Sequence, residues 1–181
     1  MCGIAGFCNW KTDWEKNIRK MNDRMRHRGP DASGIWASED GSVVFGHQRL
    51  SIVDLSENGA QPMQSHSGRF EIAFNGEIYN YKQIAKRLLV KKKVDHFRGG
   101  SDTEVLLEAY GALVGWKASP LSMCKGMFAI ALYDREERVL YLLRDRIGEK
   151  TPVLWICQRQ LCVCLGYRFH CRAGRIQKWN Q

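Results

Sequence analysis

Strand-like runs in this chain arrive in consecutive pairs joined by tight polar turns, and this restricts the fold more than any other feature of the sequence. Gly34-Ile35-Trp36-Ala37 and Val43-Val44-Phe45-Gly46 flank the turn Glu39-Asp40-Gly41-Ser42. Gly126-Met127-Phe128-Ala129-Ile130-Ala131-Leu132-Tyr133-Asp134 and residues 139–143 flank Arg135-Glu136-Glu137-Arg138. Runs joined this closely form antiparallel hairpins. Helical periodicity is confined to other stretches. Ile18, Met21 and Met25 recur at helical spacing within Trp14–Met25, and Gly29-Pro30 stops that helix. Tyr81–Val90 carries Ile84, Leu88 and Leu89, and its end, Lys91-Lys92-Lys93, places cations where the helix dipole favours them. Ser101-Asp102-Thr103-Glu104 matches a capping box opening a helix over 103–114. Strands and helices in blocks favour an α+β fold over a βαβ array.

The first residues carry reactive chemistry. Removal of Met1, which the small Cys2 permits, leaves a thiol and a free α-amine on one residue. The amine titrates near ~7.7–8.0 and a free thiol near ~8.5, so the amine can accept the thiol proton at neutral pH. Ile4, Ala5 and Phe7 read as a short buried strand, and Gly3 and Gly6 leave room against its backbone. An ordinary start Met before a buried Cys fits the same residues. Asn75-Gly76 is open to two readings as well. Between β-like runs it matches a type I′ turn, and its two neutral N–H donors could equally face a developing oxyanion. Glu77 beside them is a carboxylate able to meet an amine or amide. Asp102, at the first turn of its helix, suits either dipole compensation or ligand binding.

A chain of 181 residues with 44% hydrophobic content can bury one real core. No apolar run has membrane length, and Lys11, Asp13, Glu15 and Lys16 directly follow the first strand, so the expectation is a cytoplasmic protein without signal peptide or membrane association. The formal charge of +9 invites a nucleic-acid reading, but the basic residues are scattered rather than interleaved with aromatics, and no nucleic-acid partner is expected.

Several motifs then coincide in order: Met1-Cys2-Gly3-Ile4-Ala5-Gly6, Arg26-His27-Arg28-Gly29-Pro30-Asp31, His47-Gln48-Arg49-Leu50-Ser51-Ile52-Val53-Asp54, Gly59-Ala60-Gln61-Pro62-Met63, Phe74-Asn75-Gly76-Glu77-Ile78-Tyr79-Asn80, Ser101-Asp102-Thr103-Glu104 and Arg144-Asp145-Arg146-Ile147-Gly148-Glu149-Lys150. Together, over residues 1–150, they resemble the class II glutamine amidotransferase domain, and within it the glutamine-hydrolysing asparagine synthetases. The resemblance implies an N-terminal-nucleophile hydrolase, α+β, with two stacked antiparallel sheets flanked by helices. It implies that Cys2 attacks the side-chain amide of L-glutamine to form a thioester, with Asn75 and Gly76 as the oxyanion hole. Arg49 would hold the substrate α-carboxylate, and Glu77 and Asp102 would face its α-ammonium and neighbouring polar atoms. No metal or cofactor is needed for this half-reaction. In the family, ammonia passes to a synthetase domain that uses ATP and magnesium; that domain, missing here or separately encoded, is the expected partner. The alternatives are an amidotransferase half serving another acceptor, such as a sugar or another carboxylate, and an inactive fragment of a disrupted gene.

Residues 151–181 depart from the family. In place of Pro-Leu-Tyr-Tyr-Gly and Phe-x-Phe-Ala-Ser-Glu-Ile patterns, the chain has no Asp or Glu after Glu149, and it carries Arg159, Arg168, Arg172, Arg175 and Lys178. Trp155-Ile156 must be encoded TGG-ATH, which read one base later begins with a glycine codon. Permitted codons in that frame include Phe-Tyr-Gly-Tyr-Val-Asn-Gly-Ser from 153–160 and Phe-Val-Phe-Ala-Ser-Asp-Ile-Ala-Ser-Ile from 161–170, which resemble the two missing patterns. The expectation is a frameshift near 150–153, an incomplete domain and a sheet deprived of two strands. A Cys/His metal site from Cys157, Cys162, Cys164, His170 and Cys171 is the rival reading, and its spacings lack paired Cys-x-x-Cys.

Overall fold

The computed structural model describes residues 2–10, 13–112, 120–157 and 160–165. The chain divides into two compact units, Met1–Leu50 with Thr151–Gln181, and Ser51–Lys150. Each contains one antiparallel sheet.

In the first unit, β1 (Gly3–Cys8), β2 (Ala32–Ala37), β3 (Val43–Arg49), β8 (Val153–Cys157) and β9 (Gln160–Leu165) form a sheet of order β2-β3-β1-β9-β8. The helix α1 (Trp14–Met25) buries Ile18 and Met25 against Ala5, Phe7 and Val44, with Met21 packed alongside. This is the helical stripe read from the sequence. The buried Asn22 donates its side-chain N–H to the Gly34 carbonyl at 3.0 Å, and its approach requires glycine at position 46, where a Cβ would lie 2.9 Å from Ile18 Cδ1.

The tail behaves differently from expectation. Rather than leaving the sheet two strands short, residues 153–157 and 160–165 form a hairpin whose second strand pairs with β1, Ile4 opposite Leu165 through Cys8 opposite Leu161. The run Val153-Leu154-Trp155-Ile156 and the residues Leu161, Val163 and Leu165 are β-branched, aromatic or aliphatic, the composition a pleated surface accepts whatever the detailed motif. The long apolar strand β1 also offers an otherwise unpaired edge.

In the second unit the sheet order is β4-β5-β6-β7, with β4 (Met63–Gln64), β5 (Phe70–Ile78), β6 (Gly126–Asp134) and β7 (Val139–Arg144). The helices α2 (Tyr81–Val90) and α3 (Asp102–Ala112) share a core with it. Phe70, Ile72, Phe74 and Ile78 of β5 join Phe128, Ile130 and Leu132 of β6, Ile84 and Leu88 of α2, and Val105 and Leu106 of α3. The α3 helix starts one residue before the expected Thr103, and Leu113 and Val114, at its expected end, lie outside the described residues. Its capping box closes on one side. The Glu104 N–H donates to Ser101 Oγ at 3.2 Å, but the buried Glu104 carboxylate accepts the Arg98 and Gly99 N–H groups at 2.7 and 2.8 Å.

Glu71 lies on the opposite face of β5 from the Phe70–Ile72–Phe74 stripe. It is 2% exposed, and its Oε2 has no hydrogen-bond partner among the described residues. Burial pushes its pKa up to about 7, against a partial pull downward by the Arg135 charge. A folded-state pKa above the ordinary value near 4.5 makes Glu71 most compatible with folding below pH 4.5, and that compatibility is lost as pH rises through about 7. Glu71→Gln is therefore expected to stabilise the protein at pH 8 by about 2–3 kcal/mol, with no gain at pH 4. Urea unfolding of both proteins across this range checks it; parallel stability–pH curves would refute it.

Candidate active site

Within the first unit, the register places Gly3 opposite Gln48, so Cys2 and Arg49 stand at the same end of β1 and β3. The Leu50 N–H donates to Cys2 Sγ at 3.3 Å, and Sγ reaches the Leu50 carbonyl at 3.6 Å, so the sulfur is held between the two peptide groups of one residue. Arg28 donates from Nε to the Cys2 carbonyl at 3.1 Å, which ties the Cys2 peptide to the turn after α1. That turn runs against the end of β3: the Asp31 N–H donates to the Arg49 carbonyl at 3.1 Å, and a Cβ at Gly29 would lie 2.5 Å from the Arg49 carbonyl carbon. Gly29-Pro30 thus stops the helix and also lets the chain pass directly over the β3 backbone. Cys2 is partly exposed, whereas burial pushes the thiols of Cys8 and Cys124 up to about 11. Those two thiols stay protonated and unreactive at neutral pH.

Within the second unit, Asn75, Gly76 and Glu77 lie inside β5, paired with Ala129, Phe128 and Met127 of β6. The Asn-Gly dipeptide is therefore not a turn. Local preference for a type I′ turn yields here to long-range pairing with a buried strand. The outer edge of β5 shows what the dipeptide does. The short β4 pairs only with Glu71 and Ile72, and further along the outward N–H groups of Phe74 and Ile78 are met by side chains. The Phe74 N–H donates to Gln61 Oε1 at 2.7 Å, and the Ile78 N–H donates to Asp102 Oδ2 at 2.9 Å. Strand alternation points the Gly76 N–H to the same edge, between those two acceptors, and no acceptor among the described residues meets it. Asn75 is 2% exposed, and Glu77 is exposed.

Asp102 is 6% exposed. Burial pushes its pKa up, the Ile78 N–H pulls it down, and the Glu77 carboxylate adds a further upward push. Two neighbouring acids, one of them buried, form a place where an arriving cation relieves repulsion. Asp102 opens α3, where its charge suits the helix dipole, and it also caps the end of β5.

Three positioning features were not read from the sequence. One is the clasp of Leu50 on Cys2. The second is Gln61, which the sequence presents only as part of the motif Gly59-Ala60-Gln61-Pro62-Met63. The third is Asp145, whose Oδ1 accepts the N–H groups of Ile147, Gly148 and Glu149 at 3.1, 2.6 and 3.0 Å, and whose Oδ2 accepts those of Phe128 and Lys150 at 3.2 and 3.0 Å. Burial raises the Asp145 pKa, but these N–H groups outweigh it and hold the carboxyl below its usual range. An Asp with Gly three residues on, directly after a strand, was the available signal for such a turn.

Among the described residues, no group of three or more His, Cys, Asp or Glu is placed to hold a metal ion. His170 and Cys171 of the rival metal reading lie outside the described residues. No described helix is long and apolar enough to cross a membrane.

Comparison with known proteins places this geometry. The profile of a family described as "Glutamine amidotransferase domain" matches residues 1–166, past the point where the motifs were expected to fail. Asparagine synthetase [glutamine-hydrolyzing] 1 of Bacillus subtilis is 41% identical over 155 residues, covering 83% of this chain and 23% of its own length. Amidase chry2 of Gibberella zeae is 35% identical over 191 residues, covering 99% of this chain and 28% of its own. The chain thus spans about a quarter of the length of these relatives. Among solved structures, the glutamine phosphoribosylpyrophosphate amidotransferase of B. subtilis superposes with a TM-score of 0.71 at 20% identity, covering 90% of this chain and 41% of that one, and so shares the expected α+β fold. By family profile and by identity to these relatives, the chain belongs to the class II glutamine amidotransferase domain family, the branch that includes the glutamine-hydrolysing asparagine synthetases.

Proposed function

We propose that this chain hydrolyses L-glutamine to glutamate and ammonia, and that the ammonia serves the ATP-dependent amidation of aspartate, as the glutaminase half of an asparagine synthetase. After removal of Met1, the Cys2 sulfur attacks the side-chain carbonyl carbon and passes its proton to its own α-amine. The oxygen, now negative, is stabilised by the Asn75 side-chain amide and the Gly76 N–H. Collapse expels ammonia, which takes the proton from the α-ammonium, and leaves a γ-glutamyl thioester. Water, deprotonated by the same amine, attacks the thioester, and glutamate leaves with the thiol restored. Arg49 binds the substrate α-carboxylate and Asp102 with Glu77 its α-ammonium, a pattern that selects the free amino acid, because a peptide-internal glutamine leaves these charges unpaired.

The observation that carries this reading is the outward Gly76 N–H, left between two edge acceptors on a strand where every other outward N–H nearby is taken. ATP and magnesium would serve the amidation step, not the hydrolysis. A second reading for the ammonia acceptor is favoured by the relative named as an amidase, which matches nearly the whole chain. The tail belongs to the same proposal. With no acid after Glu149, residues 151–181 read as out of frame, and resequencing the coding DNA from Arg144 onward tests that.

The enzyme reading is tested with a diazoketone analogue of glutamine, whose diazo carbon takes up a proton and alkylates a thiol sulfur with loss of dinitrogen. One adduct is expected on the peptide beginning at Cys2, protected by L-glutamine. A folded, Met-trimmed sample that stays unmodified at Cys2 and releases no glutamate refutes it and leaves the inactive-fragment reading.

A further inference from the structure

The two acceptors along the outer edge of β5 differ in an informative way. Asp102 opens α3 and has its own expected task with substrate. Gln61 has none, and it lies in the loop before β4, 8% exposed, with both ends of its side-chain amide engaged. Its Oε1 accepts the Phe74 N–H at 2.7 Å, and its Nε2 donates to Thr103 Oγ1 at 3.2 Å. One bond lands on the residue before Asn75 and the other on the residue after Asp102.

From this we infer that Gln61 is a positioning residue for the reaction: it ties the peptide preceding the Asn75-Gly76 donor pair to the first turn of α3, and so holds the oxyanion donors and Asp102 in one fixed register. The physical need is specific. Beyond the end of β4 the edge of β5 has no strand partner, and an unpaired strand edge can shift or twist. An oxyanion donor that is misplaced by a fraction of an ångström loses most of its worth, because the benefit depends on preorganisation. A loop carbonyl could satisfy Phe74, and a helix cap could satisfy Thr103. A side-chain amide offers an acceptor and a donor on a single rigid plane, so it can fix the two elements relative to each other.

This inference rests on the glutaminase reading, and its experiment separates the two. Steady-state kinetics of glutamine hydrolysis are measured for the full chain, for Gln61→Leu, Gln61→Glu and, as a stability control at a core residue that makes neither bond, Ile84→Val. Gln61→Leu removes both bonds and is expected to lower kcat by about 10–100-fold with KM changed by less than about threefold, since the oxyanion forms only in the transition state. Gln61→Glu keeps the acceptor for Phe74 and lets Thr103 donate in turn, so it is expected to recover most of the lost kcat. Ile84→Val is expected to lose stability without losing kcat. Amide hydrogen exchange, readable whether or not glutamine is turned over, is expected to show Phe74 protected in the parent and unprotected in Gln61→Leu. An unchanged kcat in Gln61→Leu, a loss confined to KM, an equal loss in Ile84→Val, or Phe74 protection that survives the substitution each overturns the inference. A parent protein that turns over no glutamine, with Phe74 exchange responding as described, instead removes the glutaminase reading and leaves Gln61 as a clasp between β5 and α3.

Discussion

Cys2→Ala is expected to reduce glutamate release at least about 1,000-fold while leaving the unfolding midpoint of the protein within a few degrees of the parent. The chemical effect is large because alanine offers no lone pair, so the thioester route closes and no other side chain takes it over. Cys8 and Cys124 are poor substitutes, since burial pushes both thiols up to about 11. The structural effect is small because Cys2 precedes the first residue of β1 and is partly exposed. The sulfur's contacts that disappear include the weak ones to the Leu50 N–H and the Leu50 carbonyl, and the Arg28 bond goes to the Cys2 carbonyl, which alanine retains. Coupled assays of glutamate and of ammonia check the expectation, and each product must fall equally. Residual turnover above about one part in a hundred would mean that another nucleophile does the work.

Gly76→Ala is expected to destabilise the protein by more than about 3 kcal/mol and to abolish activity in whatever fraction still folds. A Cβ at this position would run into the Met127 carbonyl oxygen and would lie 2.7 Å from Phe128 Cα and 2.8 Å from Phe128 Cβ. Two of these three atoms are backbone of β6, held in register by Asn75 opposite Ala129 and Glu77 opposite Met127. No side chain can swing aside to make room, so the pairing itself must open. Net stability of a domain is ~5–15 kcal/mol, and such a loss is a large share of it. Opening the pairing also turns the Gly76 N–H away from its edge position, so activity falls even where folding survives. Thermal and urea unfolding give the first quantity, and glutamate release per folded molecule gives the second. A variant with the parent's midpoint and turnover would show that the close approach of β5 and β6 is not required.

The same glycine shows how far local reading extends. The strand Gly126–Asp134 and the helices Trp14–Met25 and Tyr81–Val90 end where turn residues and apolar period say they should, because those signals act within a few residues. Asn75-Gly76 has a local preference of its own, for a turn, and that preference loses to nine consecutive residues paired with β6. In the tail, the two strands expected to be lost are present. Its motif had vanished, but strand formation asks only for suitable apolar residues beside an available edge, and β1 supplied the edge. The clasps of Leu50, Gln61 and Asp145 were out of reach because each joins a side chain to a backbone group whose position depends on distant pairing; Gln61 and Thr103 are 42 residues apart.

From the residues alone came the hairpin blocks, the terminal thiol, the ordered motifs of the amidotransferase resemblance, and with them the names of the residues to watch. Those depend on composition, period and order, which are properties of the chain before it folds. Only the folded chain decided which backbone N–H groups would go unpaired. That choice depends on where β4 ends beside β5 and on which side chains arrive to cover the remainder, and neither is encoded in any short stretch. A hydrogen bond is won by whichever acceptor reaches the donor in three dimensions, so the edge left open at Gly76 is a result of tertiary structure.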